Sequence, residues 1–430
     1  MKEQKIYDII GIGIGPFNLG LAALLEPITE ISALFLDQSE GFDWHPGLML
    51  DNATLQVPFM ADLVTMADPK SRFSFLNFLK ETDRLYKFFI REDFFILRKE
   101  YNVYCQWVVR QLESCQFGKQ VRTIAFDEER EVYQLDVLDD VSGKRAVFLA
   151  RKIVLGTGTQ PNVPEFIKER NLSNVIHTSE YLDHKPDILN SQTIAIIGSG
   201  QSAAEIFQDL LPATEDGLQL SWFTRPDRFF PMEYSKLTLE LTSPEYVDYF
   251  HAMEAQQRQR LLAKQPPLYK GINFDLINDI FDSLYQMSVG DRPLHVELRP
   301  NCQLDAVSEI EESSFYNLEF THVQKEETFT HVADFIILAT GYKYNEPDFL
   351  KGIEHRIRRT TDGLFDVNRK YTIDIEDRSI FVQNAELHTH GFVTPDLGMG
   401  AYRNAIIINA IAGSEVYKVE KRIAFQQFDL

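Results

Sequence analysis

Apolar runs separated by glycines dominate the pattern along the first 40 residues. Ile6–Ile12 is apolar and ends in glycines, Leu19–Leu25 has the apolar character of a buried helix, and Ala33–Leu36 is a second short apolar run. A strand, a tight turn, a helix and a second strand in this order form the repeating unit of a doubly wound sheet. The pattern therefore predicts a parallel sheet whose first strand begins at residue 6.

The same order of elements returns in mid-chain. Thr193–Ile197 predicts a strand, Gly198–Glu205 a turn that opens a helix, and Leu218–Thr224 the next strand. Two such units predict an α/β protein with two Rossmann-like dinucleotide-binding domains. Other apolar stretches predict helices over Ser71–Leu79, Val103–Leu112 and Tyr402–Ala412, and strands over Glu131–Val137, Ala146–Leu155, Ser314–His322 and Phe335–Leu338.

The domain borders follow from the positions of these units. We predict that residues 1–170 and 341–430 form one domain and that residues 171–340 form a second domain inserted into it. The turn residues Gly156, Pro161 and Pro164 mark the first crossing. The aromatic, helical pattern from Pro244 to Met287 adds a small, mainly helical region to this architecture.

Composition and charge exclude several classes of function. The chain has 430 residues and a formal net charge of −21, which argues against nucleic acid and anionic membranes as partners. Its three cysteines, Cys105, Cys115 and Cys302, form no CxxC pair, so a dithiol redox site is excluded and a reducing cytoplasm is favoured. No apolar run approaches the roughly 20 residues of a membrane span, and the N-terminus leaves no room for a signal peptide.

The first glycine turn predicts a nucleotide site. Gly13 permits a tight turn after the strand, and Gly15 lets the backbone approach a pyrophosphate at the start of the helix, beside Pro16. Asp37 lies about 20 residues further on, where an acid can accept from ribose hydroxyls. The N-terminal position favours FAD. Asn18 replaces the last glycine of the usual fingerprint, and a glycine-rich turn without ligand is the alternative.

The second glycine turn repeats this logic over a run of small and polar residues, namely Gly198, Ser199, Gly200, Gln201 and Ser202. The strand that follows ends in Thr224 and Arg225, with Arg228 close behind, and carries no acid. An arginine at this position can pair with a 2′-phosphate, which favours NADPH over NADH. The alternative is that both arginines are ordinary surface charges.

A third signal is the most specific in the chain. Asp334 opens a buried strand that ends in a turn of small residues and an aromatic, Ala339, Thr340, Gly341 and Tyr342, with Pro347 beyond. Together with the two glycine turns, this string resembles the D-x3-[LF]-ATGY-x4-[HP] signature of N-hydroxylating flavin monooxygenases. That family comprises the lysine, ornithine and diamine N-monooxygenases of siderophore pathways, and every position of the signature matches.

The resemblance extends along nearly the whole chain and implies roles for further residues. Trp44 and His45 resemble a segment beside the flavin, and Leu397 and Gly398 resemble a loop that closes over its ring. The implied FAD contacts are Gly13, Gly15, Pro16, Asn18, Asp37, Trp44, His45, Leu397 and Gly398. The implied NADPH contacts are Gly198, Ser199, Gly200, Gln201, Ser202, Thr224, Arg225, Ala339, Thr340, Gly341 and Tyr342. Residues 1–170 and 341–430 would then bind FAD, with substrate-site helices in the latter, and residues 171–340 would bind NADPH.

The resemblance also implies the chemistry. NADPH reduces FAD, oxygen adds to the flavin as a C4a-hydroperoxide, and the unprotonated amine attacks the distal oxygen. The flavin carries the difficult step, so no side-chain nucleophile is expected. The family further implies a homo-oligomer of two or four chains.

The predicted substrate is a small amine without a carboxylate. In the amino-acid hydroxylases a lysine that holds the substrate carboxylate stands where this chain has Ala61. A carboxylate without its charged partner would lose about 2–5 kcal/mol. We therefore predict cadaverine first and putrescine next, with L-lysine as the alternative if Lys270 or Arg72 replaces the missing cation. The candidate substrate residues are Gln56, Ala61, Asp62, Lys270 and Asn273, and Glu233 and acids near Asp275 are further candidates for the second ammonium.

Other classes of function remain as alternatives. A disulfide reductase shares the double dinucleotide layout but needs a CxxC pair, and a Baeyer–Villiger or sulfide-oxidising monooxygenase lacks the whole-chain resemblance. An FAD-binding redox protein without hydroxylase activity is the different-class alternative. His388 and His390 fit no standard metal spacing, so no metal is predicted.

Overall fold

The computed structural model describes residues 4–170, 172–290 and 293–429. Its strands are β1 (Ile6–Ile12), β2 (Ala33–Leu36), β3 (Thr54–Pro58), β4 (Phe95–Leu97), β5 (Cys115–Gln116), β6 (Lys119–Asp127), β7 (Val132–Asp139), β8 (Arg145–Leu155), β9 (Gln160–Pro161), β10 (Val175–His177), β11 (Thr193–Ile197), β12 (Gln219–Phe223), β13 (Val296–Arg299), β14 (Cys302–Glu309), β15 (Tyr316–His322), β16 (Glu327–Ala333), β17 (Phe335–Leu338), β18 (Tyr342–Lys343) and β19 (Ile380–Val382).

The helices are α1 (Pro16–Leu25), α2 (Phe75–Glu81), α3 (Leu85–Arg91), α4 (Arg98–Val109), α5 (Glu165–Lys168), α6 (Tyr181–Leu189), α7 (Gln201–Leu210), α8 (Lys236–Leu239), α9 (Pro244–Ala252), α10 (Ala255–Leu262), α11 (Pro266–Tyr269), α12 (Phe274–Ser288), α13 (Leu387–His390) and α14 (Gly400–Ala412). The described residues contain no helix whose length and apolar character would let it cross a bilayer.

The first sheet has the strand order β5-β2-β1-β8-β7-β6, and β19 adds to β8. The strand β8 is long enough to pair antiparallel with β7 along its first half and parallel with β19 at its end. Its other edge runs parallel to β1, with Ile10 opposite Ile153. Helix α1 is apolar on every side. It packs against this sheet on one side and against α14 on the other, so both of its faces are buried. The sheet is therefore completed by a strand from the last part of the chain.

The second sheet is wholly parallel, in the order β10-β17-β11-β12-β13. Its strands β11 and β17 are almost entirely buried, which is typical of parallel strands covered on both faces. An antiparallel sheet, β14-β15-β16, packs on one face, where the rings of Phe223 and Phe320 are 4.5 Å apart. The predicted α/β class with two Rossmann-like sheets is confirmed.

A short ribbon joins the two domains. Strands β9 and β18 pair antiparallel, with Pro161 opposite Tyr342, so the chain leaves and re-enters the first domain side by side. Ile167, a few residues later, packs in the core of the second sheet. We therefore propose that the first border lies at this ribbon, ahead of the expected border at residue 170.

The predicted helical region consists of α8 to α12 from the inserted segment, together with α13. Tyr246, Val247 and Phe250 on α9 pack against Phe392 and Val393, which follow α13. Helices from the second domain therefore close over a loop of the last segment. The helices that pack over this loop come largely from the inserted segment, and the substrate-site helices that we expected within residues 341–430 stay a prediction.

Candidate cofactor and substrate sites

The first glycine turn has an open cradle in front of helix α1. Gly13 has a φ of +87°, and a Cβ there would lie 2.4 Å from the carbonyl oxygen of Gly156. Gly15, the residue before the helix, has extended backbone, and a Cβ there would meet no atom within 4 Å. Backbone N–H groups at a helix N-terminus and its dipole favour a phosphate in such a space. Gly13 therefore serves packing, whereas Gly15 leaves room for a ligand.

Asn18 explains why the third fingerprint glycine is absent. Its Nδ2 donates to the carbonyl oxygen of Gly13 at 2.8 Å, and its Oδ1 accepts from Gln383 Nε2 at 2.7 Å. The side chain is buried and fills the space that a Cβ on Gly156 would need. The Asn18 amide ties the turn to Gln383, directly after β19, and its predicted contact with FAD stays a prediction.

Asp37 stands at the end of β2 beside this turn. Its Oδ2 accepts from the backbone N–H of Ile14 at 2.6 Å, and its Oδ1 accepts from the backbone N–H of Ser39 at 2.8 Å. Oδ1 also accepts from the Ser39 hydroxyl at 2.6 Å, so both oxygens hold the turn and only Oδ2 keeps a further lone pair for a ribose hydroxyl. The predicted contact stays a prediction, with a structural role beside it.

The second glycine turn is packed against the small-residue turn that follows β17. A Cβ at Gly198 would lie 2.2 Å from the carbonyl oxygen of Ala339, whereas a Cβ at Gly200 would meet only the carbonyl oxygen of Lys270, at 3.5 Å. Gly200 precedes α7, so the N–H groups of that helix face the more open side. Ser199 and Ser202 are partly exposed on this turn.

The end of β12 presents an unpaired polar group and a free cation. Thr224 is fully buried, and its hydroxyl has no hydrogen-bond partner among the described residues. Arg225 is exposed and forms no ion pair within the described ranges, whereas Arg228 pairs with Asp227 at 2.7 Å. Of the two arginines, Arg225 is therefore the one available to a phosphate.

The Trp44–His45 segment lies between the two domains. The ring of Trp44 packs on Tyr101 of the first domain, and the ring of His45 lies 5.5 Å from that of Tyr342 at the ribbon. A Cβ at Gly47 would overlap the carbonyl oxygen of Ser179 in the second domain. Burial, aided by the nearby charge of Arg98, lowers the pKa of His45 to about 4, so this ring is neutral near pH 7.

Thr340 and Gly341 hold the ribbon together. The hydroxyl of Thr340 donates to the carbonyl oxygen of Asn162 at 2.6 Å, and Nε2 of His177 donates to the carbonyl oxygen of Gly341 at 3.0 Å. Gly341 has a φ of +76°, which explains a glycine at this position. The structure thus gives these residues a linking role, and their predicted contact with NADPH stays a prediction.

Ala61 lies where the last segment meets the first domain. It is buried, and a Cβ at Gly398 would lie 3.7 Å from its methyl carbon. A small crevice nearby in the chain is lined by Pro16 at the start of α1 and by Asp62 and Leu397, the neighbours of Ala61 and Gly398, among others. The structure therefore brings the predicted substrate position, the predicted flavin-covering loop and the first nucleotide turn together.

Asp62 corrects our assignment of a substrate acid. Its carboxylate accepts from the backbone N–H groups of Val64, Thr65 and Phe75 and from the Thr65 hydroxyl, all within 2.9 Å. Burial raises the pKa of this carboxyl group against the effect of these bonds. Because both oxygens brace their own loop and the start of α2, Asp62 is a structural residue.

Two of the remaining substrate candidates, Lys270 and Asn273, lie at the second glycine turn. Asn273 donates its backbone N–H to Gln201 Oε1 at 2.8 Å and caps α12 with its side chain, and the carbonyl of Lys270 faces Gly200. Both residues thus belong to the second glycine turn, and Lys270 is exposed over the ring of Tyr269. Gln56 on β3 has a buried Nε2 without a partner among the described residues, which leaves it available to a ligand.

A buried ion pair that the sequence analysis did not find anchors the loop around Asp396. Arg403 donates from Nη1 to Glu386 at 2.6 Å and from Nη2 to the carbonyl oxygen of Thr394 at 2.7 Å. Both side chains are almost inaccessible, so breaking the pair would leave a buried charge uncompensated. Asp396 itself accepts from the Gly398 N–H at 2.7 Å. In the sequence, the position of Asp396 directly before the predicted flavin contacts Leu397 and Gly398 could have indicated a role at this site.

The histidines of the same segment are used in packing. His388 bonds the carbonyl oxygen of Phe365 at 2.6 Å, and His390 stacks on Tyr371 with the ring centroids 4.4 Å apart. Within residues 4–170, 172–290 and 293–429, no group of three or more His, Cys, Asp or Glu side chains is placed to hold a metal ion.

Comparison with known proteins identifies the family. Residues 5–344 match the model of the L-lysine 6-monooxygenase/L-ornithine 5-monooxygenase family. The chain belongs to this family. It is 49% identical over 427 residues to the putrescine N-hydroxylase of Shewanella oneidensis, covering 99% of this chain and 85% of that protein.

Two solved structures are similar over almost their whole length. The FAD-bound cadaverine monooxygenase DfoA of the desferrioxamine pathway of Erwinia amylovora is 48% identical, with a TM-score of 0.97 and 99% of both chains covered. The ornithine N-hydroxylase KtzI of Kutzneria sp. 744, with reduced FAD, NADP⁺ and L-ornithine, is 26% identical, with a TM-score of 0.87 and 95% and 99% covered. The predicted class of flavin N-monooxygenases is thereby confirmed.

Proposed function

We propose that this chain uses FAD, NADPH and oxygen to N-hydroxylate an aliphatic diamine, cadaverine or putrescine, for a hydroxamate siderophore. The observation that carries the proposal is the uncharged methyl of Ala61 beside Gly398, where the amino-acid hydroxylases have a carboxylate-binding lysine. The similar proteins named for putrescine and cadaverine support the same choice. The predicted cytoplasmic location and homo-oligomer stay predictions.

The residues of the first turn fit FAD. The open space before Gly15 accommodates a pyrophosphate, and Asp37 stands where a ribose would lie. Leu397 and Pro16 line one crevice, and the adjacent Gly398 lies beside Ala61, so this loop would cover the flavin ring and exclude water from it. Bound FAD, reduced by NADPH, supplies activated oxygen to the amine. The protein's part is to position the amine and to keep it dry and unprotonated.

The residues of the second turn fit NADPH, and Arg225 is the proposed partner of the 2′-phosphate. Replacing it by alanine (Arg225→Ala) removes a charge-assisted contact of about 1.5–3 kcal/mol. We expect the KM for NADPH to rise by about 10-fold or more, with the KM for NADH nearly unchanged. Steady-state NADPH and NADH oxidation measures both.

Arg228→Ala is the matched control, because Arg228 lies in the same loop but already pairs with Asp227. We expect this variant to keep the parent's preference for NADPH. Equal losses in both variants, or a loss only in Arg228→Ala, would contradict the assignment of Arg225.

The substrate proposal is tested by an amine panel. Purified enzyme with FAD and NADPH is assayed with cadaverine, putrescine, L-lysine and L-ornithine, and hydroxylamine product is measured beside NADPH oxidation. We expect kcat/KM for the better diamine to exceed that for either amino acid by about 30-fold or more, since an α-carboxylate would lack its partner. A preference for L-lysine would reject the diamine assignment in favour of the lysine alternative.

A further inference from the structure

Asp396 offers a carboxylate oxygen that the protein does not use. The residue precedes a short 3₁₀ helix, Leu397–Met399, and its Oδ1 accepts from the Gly398 N–H at 2.7 Å. In the part of the chain that the structure describes, no other donor forms a hydrogen bond with this carboxylate. One oxygen can therefore serve as the helix cap while the other remains free for a ligand.

The Asp396 carboxylate and Ala61 both lie against Gly398. A Cβ at Gly398 would lie 3.2 Å from Asp396 Oδ1 and 3.7 Å from the methyl carbon of Ala61. The acid and the methyl group thus flank the side on which Gly398 has no side chain. Tyr234 stands close enough for the charge of Asp396 to contribute to raising the pKa of its hydroxyl, after burial.

Asp396 forms no ion pair with any residue in the described part of the chain. Its surroundings raise the pKa of the carboxyl group by desolvation, against the Gly398 hydrogen bond and the charge of Arg403. Arg403 is already committed to Glu386 and to the carbonyl of Thr394. A bound cation would supply the missing compensation, and the protein's net charge of −21 favours the approach of a doubly charged amine.

We propose that Asp396 binds the non-reacting ammonium group of the diamine and thereby determines specificity; this rests on the proposed function. The carboxylate attracts a distal ammonium, and it repels an α-carboxylate brought to the same place. Ala61 leaves the space beside it for the methylene chain. Specificity for diamines then comes from an acid on the last segment together with the absence of a lysine on the first.

An Asp396→Asn variant tests this assignment because asparagine keeps an oxygen to accept from the Gly398 N–H. We expect kcat/KM for cadaverine and putrescine to fall by about 30-fold or more, mainly through KM. Activity with pentylamine, which has no second ammonium, should change little. Asp396→Glu keeps the charge and should recover part of the diamine activity.

Glu415→Gln provides a matched control at an exposed acid of the same last segment. We expect it to leave the KM for diamines nearly unchanged. Equal losses with cadaverine and pentylamine in Asp396→Asn would show a merely structural role and overturn the assignment, as would an unchanged KM or an equal loss in Glu415→Gln. A parent enzyme that prefers L-lysine rejects the proposed function itself, whereas a diamine-specific parent with an unaffected variant rejects only the role of Asp396.

Discussion

A Gly15→Val variant is expected to fold like the parent protein and to lose FAD. The backbone at Gly15 is extended, and a Cβ there meets no atom within 4 Å, so the apoprotein has room for the side chain. The same side chain would occupy the space of a pyrophosphate. Losing two charge-assisted bonds of about 1.5–3 kcal/mol each would weaken FAD binding by about 100-fold or more. Flavin absorbance of the purified protein and calorimetric titration of the apoprotein with FAD measure this.

Gly13→Val is the informative comparison, because its side chain clashes with protein rather than ligand. The φ of +87° and the close carbonyl of Gly156 should lower the unfolding free energy of the apoprotein by about 1–3 kcal/mol. Thermal unfolding of the two apoproteins separates the effects: Gly15→Val should match the parent and Gly13→Val should not. Normal FAD affinity in a folded Gly15→Val protein would show that the pyrophosphate does not lie at this turn.

The repeated units were predictable because their strands are buried on both faces. The predicted strands Thr193–Ile197 and Phe335–Leu338 match β11 and β17 residue for residue. A continuous apolar run between turn residues leaves little choice in where the strand begins and ends. The helix predicted from Ser71 instead begins at Phe75, because the hydroxyl of Ser74 accepts from the Asn77 N–H and caps it. Such a boundary depends on a local hydrogen bond that apolar spacing does not reveal.

Strands with a solvated face escaped the sequence analysis. Lys119–Asp127 (β6) and Glu327–Ala333 (β16) are rich in charged and polar residues and lie at the edges of their sheets. A strand of this kind is stabilised by the neighbour with which it pairs, and the neighbour is not visible in the local pattern. The domain-linking ribbon has only two residues in each strand, too few for any periodicity.

Residue roles were harder to predict than the fold, because they depend on partners distant in the chain. Asn18 was predicted as a ligand contact, and its bracing role beside that prediction depends on Gln383, 365 residues away. Asp62 was predicted to be a substrate acid, but its carboxylate accepts hydrogen bonds from backbone N–H groups of its own loop and of Phe75. Asp396, our proposed ligand for the distal ammonium, is brought next to Gly398, which also borders Ala61, from the last segment. Sequence motifs located the two glycine turns. Only the structure distinguishes side chains that brace the fold through hydrogen bonds from side chains that remain available to a ligand.

An Ala61→Lys variant is expected to lose diamine hydroxylation. Ala61 is buried beside Gly398, so a lysine there would extend into the space that Asp396 faces and would pair with its carboxylate. The substrate's distal ammonium would then meet a cation and lose its anion. We expect kcat/KM for cadaverine and putrescine to fall by about 30-fold to 1000-fold, with NADPH-dependent flavin reduction retained. Stopped-flow flavin reduction and hydroxylamine formation are measured separately.

The charge and the bulk of the new side chain are distinguished by Ala61→Met, which has a similar length and no charge. We expect the methionine variant to keep more diamine activity than the lysine variant. With pentylamine, the two variants should be impaired to the same extent. Adding Asp396→Asn to Ala61→Lys should cause a much smaller further loss than Asp396→Asn causes alone, because the introduced lysine has already occupied that carboxylate. Independent, multiplying losses would mean that the two side chains do not share one space, and an unaffected Ala61→Lys enzyme would place the substrate elsewhere.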